Sequence, residues 1–107
     1  MIIYNVTQNI DESIHEEWLV WIKEHIPHVL ATGKFEKATL TRVLVDEEMG
    51  GITYTVQYKS YSRAALDTFY KDHAPDFRAE ISNKFGDKLL AFRTELEILD
   101  EYSVEFK

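Results

Sequence analysis

The four histidines, at positions 15, 25, 28 and 73, are the first side chains to weigh, because imidazole is the group most readily set to acid–base or metal work near neutral pH. His15-Glu16 opens like a zinc-protease helix, but Leu19 stands where the second imidazole must be, and that reading fails. His25 and His28 are three apart, the spacing that puts two side chains on one helix face, with Pro27 between them to disturb the geometry. A metal would want a third ligand, and Glu24 or His73 could supply it only if the fold brought them close. No metal site is assigned, and the plain reading is of solvated or singly hydrogen-bonded histidines beside a helix break.

Arg42 is more informative. It stands between Leu40 and Leu44 at alternate positions of a strand, where a guanidinium must snorkel to the edge, pair with an acid or meet a ligand anion. Arg93 alternates with Glu95 and Glu97 and reads as a solvated or interface charge. Tyr54 and Tyr58 share a strand face with Val56 and could turn their hydroxyls into a pocket or simply pack. Trp18 and Trp21 lie on a helical stripe with Ile14 and Ile22, where core, a dimer interface and ligand stacking are the choices. The candidate ligand set is therefore Arg42, Tyr54, Tyr58, His25, His28, Trp18 and Trp21, and no catalytic residue is assigned.

Composition removes other chemistry. With no cysteine there are no disulfides, thiolate metal sites or Cys nucleophiles, and a reducing compartment suits the chain. No serine lies in a G-x-S-x-G elbow, and glycines 33, 50, 51 and 86 cannot compose a phosphate-binding fingerprint, so no cofactor is expected. A net charge of −7 repels nucleic acid, and the acidic run Asp46-Glu47-Glu48 lacks the alternating oxygens of a calcium loop. No apolar run reaches the ~18 residues of a membrane span, and Met1-Ile2-Ile3-Tyr4-Asn5 has no signal-peptide pattern, so a cytoplasmic location without membrane attachment is expected.

The elements that must position these side chains follow from periodicity. Residues 2–10 alternate as a strand with Ile2, Tyr4, Val6 and Ile10 on its drier face. Ser13, with Glu16 three residues on, forms a capping box for a helix carrying Ile14, Trp18, Trp21, Ile22 and Ile26, which Pro27 should kink or end near His25 before Gly33 stops the chain's turn. Residues 35–46 and 52–59 alternate again around a turn at Asp46 to Gly51, giving a β-hairpin. Ser62 caps a second helical stretch with Leu66, Phe69, Tyr70, Phe77, Ile81 and Phe85, interrupted at Pro75 and stopped by Gly86. Residues 88–99 close as a strand with Leu90, Phe92, Leu96 and Ile98 on one face and Ala91, Arg93, Glu95 and Glu97 on the other.

The order β-α-β-β-α-β predicts an α+β, ferredoxin-like domain over residues 1–107: a four-stranded antiparallel sheet with both helices on one face. Two helices cover only one face, and both faces carry apolar residues, so a second copy of the chain is the economical cover. In the tail, Tyr102, Val104 and Phe106 alternate with polar residues and read as an additional short strand at a sheet edge.

The strings Ile3-Tyr4-Asn5-Val6-Thr7, Trp18-Leu19-Val20-Trp21, His25-Ile26-Pro27, Leu30 to Phe35, Arg42 to Gly51, Phe85-Gly86 and Ala91 to Leu96 resemble a bacterial family described as a domain of unknown function, number 4286, over nearly the whole chain. The resemblance implies a single-domain bacterial protein and transfers no mechanism. By shape the chain also resembles the dimeric α/β-barrel superfamily, in which two ferredoxin-like chains pack sheet to sheet and whose members include monooxygenases, dismutases and lyases. Two functions are thus expected: a homodimeric module serving assembly or protein interaction, or a small-molecule binder or cofactor-independent enzyme whose pocket uses Arg42, Tyr and His.

Overall fold

A computed structural model of the chain describes residues 1–44 and 50–104. Its elements are β1 (Ile2–Ile10), α1 (His15–Leu30), β2 (Phe35–Arg42), β3 (Ile52–Ser60), α2 (Arg63–Asp72), α3 (Ala74–Phe85) and β4 (Leu89–Glu97). The strands form one antiparallel sheet in the order β2-β3-β1-β4, the ferredoxin-like arrangement that the alternation of strand and helix patterns predicts. The central strand β1 pairs with both β3 and β4, so Tyr4 lies between Tyr58 and Glu95, and Val6 between Val56 and Arg93.

The even-numbered side chains of β1 and β3 face the helices and are buried, from Tyr4 to Ile10 and from Tyr54 to Ser60. Against them pack Trp18, Ile22 and Val29 of α1, Leu66 and Phe69 of α2, and Ala74 and Phe85 of α3. Ser62 caps α2 as its position predicts, its hydroxyl accepting from the Ala65 N–H at 3.1 Å. The second helical stretch divides at His73, with Pro75 in the first turn of α3, where its missing N–H is harmless.

Four details differ from the sequence reading. Asp11, not Ser13, caps the first helical segment: Asp11 Oδ1 accepts from the Ser13 N–H at 2.9 Å and from the Ser13 hydroxyl at 2.7 Å, and a short 3₁₀ turn (Glu12–Ile14) precedes α1. A carboxylate one turn earlier satisfies the free amides first, so the Ser13–Glu16 box does not form. Second, Pro27 neither ends nor replaces α1, which runs on to Leu30 and closes with the Ala31 N–H donating to the Pro27 carbonyl at 2.9 Å. Both Pro27 and Lys23, the residue whose carbonyl Pro27 leaves unmatched, lie on the exposed side of the helix, where a lost ladder bond costs least.

Third, the side of β4 that carries Arg93, read from sequence as a solvated or interface charge, is the one turned toward the helices. Pairing of Leu89 with Ile10 turns Leu89, Ala91, Arg93 and Glu95 toward the helices and leaves Leu90, Phe92 and Leu96 on the open face, with 60, 65 and 42 % of their surface exposed. A one-residue register choice flips a whole strand, and here the helix side offers partners for both charges. Fourth, β2 ends at Arg42, so Leu44 lies beyond the strand and is exposed. The turn expected at residues 46–51 lies outside the described residues except for Gly50 and Gly51. Residues 98–104 carry no regular structure, and the additional C-terminal strand has no ladder partner within the described part of one chain.

Candidate functional site

Between the sheet and the helices lies a small cavity of about 40 Å³, walled by Val6, Val29, Phe69 and Phe77 and reached by the polar groups of His25, Arg78, Arg93, Tyr4 and Tyr58. Adjacent strands set the tyrosines side by side, since Tyr4 and Tyr58 are direct cross-strand partners. Register places Arg93 two residues along on β4, and the break at His73 swings α3 so that Phe77 and Arg78 close the outer side.

His25 is the unusual member. Its ring is stacked on Trp21 at 4.4 Å and meets the edge of Phe77 at 5.0 Å, it is only 6 % exposed, and its Nδ1 is buried with no hydrogen-bond partner. Burial pushes its pKa down to about 4, Glu80 pulling weakly the other way, so the ring is neutral at pH 7 and offers one N–H and one lone pair. Burial likewise raises the Tyr58 phenol well above its usual range, keeping it protonated.

Arg93 donates from Nε to the Tyr4 hydroxyl at 3.0 Å, and neither Arg93 nor Arg78 has an ion pair among the described residues. The nearest acid along the strand is committed elsewhere. Glu95 takes both terminal nitrogens of Arg63, at 2.8 and 2.9 Å, and a hydrogen bond from the Tyr70 hydroxyl, which together hold its pKa down at about 2. Glu80 accepts from the Trp21 indole at 3.2 Å. In a chain with 19 acids and 12 bases, two unmatched guanidinium groups at one cavity are a concentration of positive charge against the average.

The open face of the sheet is a different kind of surface. Its centre is polar, with Thr39, Thr41, Thr55, Gln57, Asn5 and Thr7, while the β4 side is the apolar row already described, continued by Ile3 opposite Leu96. The tail turns back over one end, where Glu101 pairs with Lys59 at 3.0 Å and a trough of about 660 Å³ opens between Ile3, Thr39, Gln57 and Tyr102. That contact raises the Lys59 pKa and lowers that of Glu101.

Of the candidates read from sequence, His25 and Tyr58 meet in the cavity. Trp18 and Trp21 are core residues, the Trp18 indole donating to Gln8 Oε1 at 3.3 Å. Tyr54 is buried, its hydroxyl hydrogen-bonded to His15 Nε2 at 2.7 Å. His28 is exposed on α1, and His73 lies beside Phe69 at 6.2 Å between ring centres; neither lines the cavity, and no group of three metal-ligating side chains occurs among the described residues. Arg42 is exposed at the end of β2 and has no ion pair among the described residues, which do not include the acidic run 46–48 that follows it. Tyr4, Arg78 and Arg93 were missed. The signal for Arg93 lay in its register with β1, which alternation alone does not carry.

Fold and pairing define an α+β protein of the ferredoxin-like class. Two solved structures share it: a dimeric ferredoxin-like protein from an uncultured marine organism (12% identity, TM-score 0.61, 94% of this chain and 97% of that one) and Rv0793 from Mycobacterium tuberculosis (18% identity, TM-score 0.61, 96% and 100%). No curated protein sequence matches the chain. Residues 1–99 match the model of the domain of unknown function DUF4286, and the chain belongs to that family. No helix among the described residues is long and apolar enough to cross a membrane.

Proposed function

We propose that the chain is a single cytoplasmic domain that works as a homodimeric assembly module, two copies pairing through the open faces of their sheets. The observation that carries this reading is the set Leu90, Phe92 and Leu96, three large apolar side chains exposed on one face of a sheet whose other face packs its central strands against the helices. Strands with one buried face normally turn polar residues outward, and β1, β2 and β3 do so at their centres; β4 departs from the rule. A second copy removes that surface from water and completes a closed point-group assembly. The marine structural neighbour is described as dimeric, which agrees with this reading. The lack of cysteine agrees with a cytoplasmic setting. Sedimentation velocity across micromolar concentrations should give twice the mass of 12.6 kDa, and a single monomeric species throughout overturns the reading.

A further inference from the structure

The apolar side chains of the open sheet face do not end with β4. Leu96 stands opposite Ile3, and Ile3 shares the trough of about 660 Å³ with Ile98, Leu99 and Tyr102 of the tail. Polar contacts put the tail there: the Ile98 N–H donates to the Met1 carbonyl at 3.0 Å, and Glu101 reaches Lys59, on the open face, at 3.0 Å. Packing does not. Leu99 and Tyr102 are 81 and 91 % exposed, more than Phe92 itself, with the open trough between them and Thr39 and Gln57. Holding an irregular segment in one place costs backbone freedom at every residue, far more than one part-exposed ion pair returns, so burial of these side chains must supply the rest.

A second copy is the occupant that fits. A two-fold interface must be complementary to itself, and the trough carries both signs of charge: among the described residues its Lys37, Glu97 and Asp100 form no ion pair. Area points the same way. Even a large aromatic side chain buries at most about 250 Å², so Leu90, Phe92 and Leu96 cannot by themselves supply the ~800 Å² per partner of a stable interface.

We propose that the tail is the second part of the dimer interface, strapped across the end of the sheet by the Glu101–Lys59 pair so that Leu99 and Tyr102 pack against the open face of the partner copy. This rests on the dimer reading above and adds to it the segment that the pairing needs. The strap acts through side chains laid over the face and not as a further ladder strand, since residues 99–104 carry no regular structure.

The test is sedimentation equilibrium of the full chain and its point variants at pH 7 and physiological salt. The double variant Leu99→Ser/Tyr102→Ser should raise the dimer dissociation constant at least roughly tenfold. Its thermal midpoint when diluted to monomer should match that of the unsubstituted chain, because both side chains are already in water there. Should the double variant fail to fold, Tyr102→Ser alone carries the test, with an expected rise of severalfold. Glu101→Gln should also raise the constant severalfold by releasing the strap, whereas Glu16→Gln, the same change of charge on the exposed side of α1, should leave it within about twofold. Removing one negative charge from a chain at −7 lessens repulsion between copies, so weakening by Glu101→Gln runs against the effect of net charge. A dimer whose constant is unchanged in the serine variant overturns the strap and leaves pairing through β4 standing; that is also the result expected if the trough serves any occupant other than a second copy. Equal constants for Glu101→Gln and Glu16→Gln overturn the role given to the Lys59 pair. An unsubstituted chain that stays monomeric throughout overturns the strap and the dimer together.

Discussion

His25 couples the cavity to stability. Folding lowers its pKa from the usual 6.5 to about 4, chiefly by burial between Trp21 and Phe77, with Glu80 opposing and His28 adding slightly. Between those two values the unfolded chain binds a proton that the folded chain refuses, so stability falls as pH drops from about 6.5 toward 4 and does not respond to this group above that window. From pH 7 to pH 5 the loss from His25 should be about 2 kcal/mol. Urea unfolding at the two pH values should show that loss shrink by this amount in His25→Gln; equal slopes in both proteins would mean that the folded ring protonates freely. A second residue-scale case is Gly51, at φ +79° with Asn9 Oδ1 2.6 Å and the Ile10 carbonyl 3.0 Å from where a Cβ would stand. Gly50 has a similar φ of +82° and open space around it. Gly51→Ala should therefore cost about 1–3 kcal/mol more than Gly50→Ala, because only Gly51 adds a clash with fixed backbone to the conformational strain. Denaturant midpoints of the two variants check this, and equal midpoints would show that Asn9 and β1 simply yield.

At the scale of elements, most boundaries were legible because they rest on local rules. Strand β1 occupies the residues its alternation marks, α2 starts at the serine that caps it, and Gly33 and Gly86 take the positive φ that lets the chain leave a helix. What was not legible depends on partners remote in sequence. Arg93 and Glu95 look like an outward face until Tyr4, Arg63 and Tyr70 are brought to meet them, at sequence separations of 89, 32 and 25 residues. The same limit hid the cavity: His25 and Tyr58 were visible as candidates, but Val29 joins them only because α1 continues past Pro27. Arg42 stands out in sequence because the alternation runs on to Leu44, whereas β2 ends at Arg42, so an exposed strand end looks like an interior position. The N-terminal cap tests the corrected reading directly. Asp11 Oδ1 accepts two bonds, from the backbone N–H and from the hydroxyl of Ser13, and replacing Ser13 by alanine removes only the second. Asp11→Ala should lower the melting temperature and Ser13→Ala should lower it distinctly less. Thermal unfolding with the reverse order would restore Ser13 as the cap.

At the scale of the whole molecule, two apolar side chains of nearly equal exposure separate assembly from general stickiness. Phe92 on the open sheet face is 65 % exposed and Val20 on α1 is 63 % exposed. Phe92 has company: Leu90 is its neighbour on the open face of β4, and beyond Thr94 stands Leu96 with Ile3 opposite it on β1. Val20 lies among Glu17, Glu24 and Lys84, charged side chains that keep their own hydration and leave it isolated. Solitary exposed hydrophobics are ordinary, whereas a contiguous row is what a partner surface needs. Phe92→Lys should therefore shift the proposed dimer to monomer by at least roughly tenfold in dissociation constant, because it places an unpaired charge inside the face that the proposed pairing buries. Val20→Lys should leave the dissociation constant within about twofold, since a charge added there stays in water. Both changes raise the net charge by one unit from −7, so an effect of overall repulsion would appear equally in the two variants. Sedimentation equilibrium on the pair decides the matter: a dimer that survives Phe92→Lys, or one that Val20→Lys disrupts as strongly, places the interface somewhere other than the β4 side of the sheet.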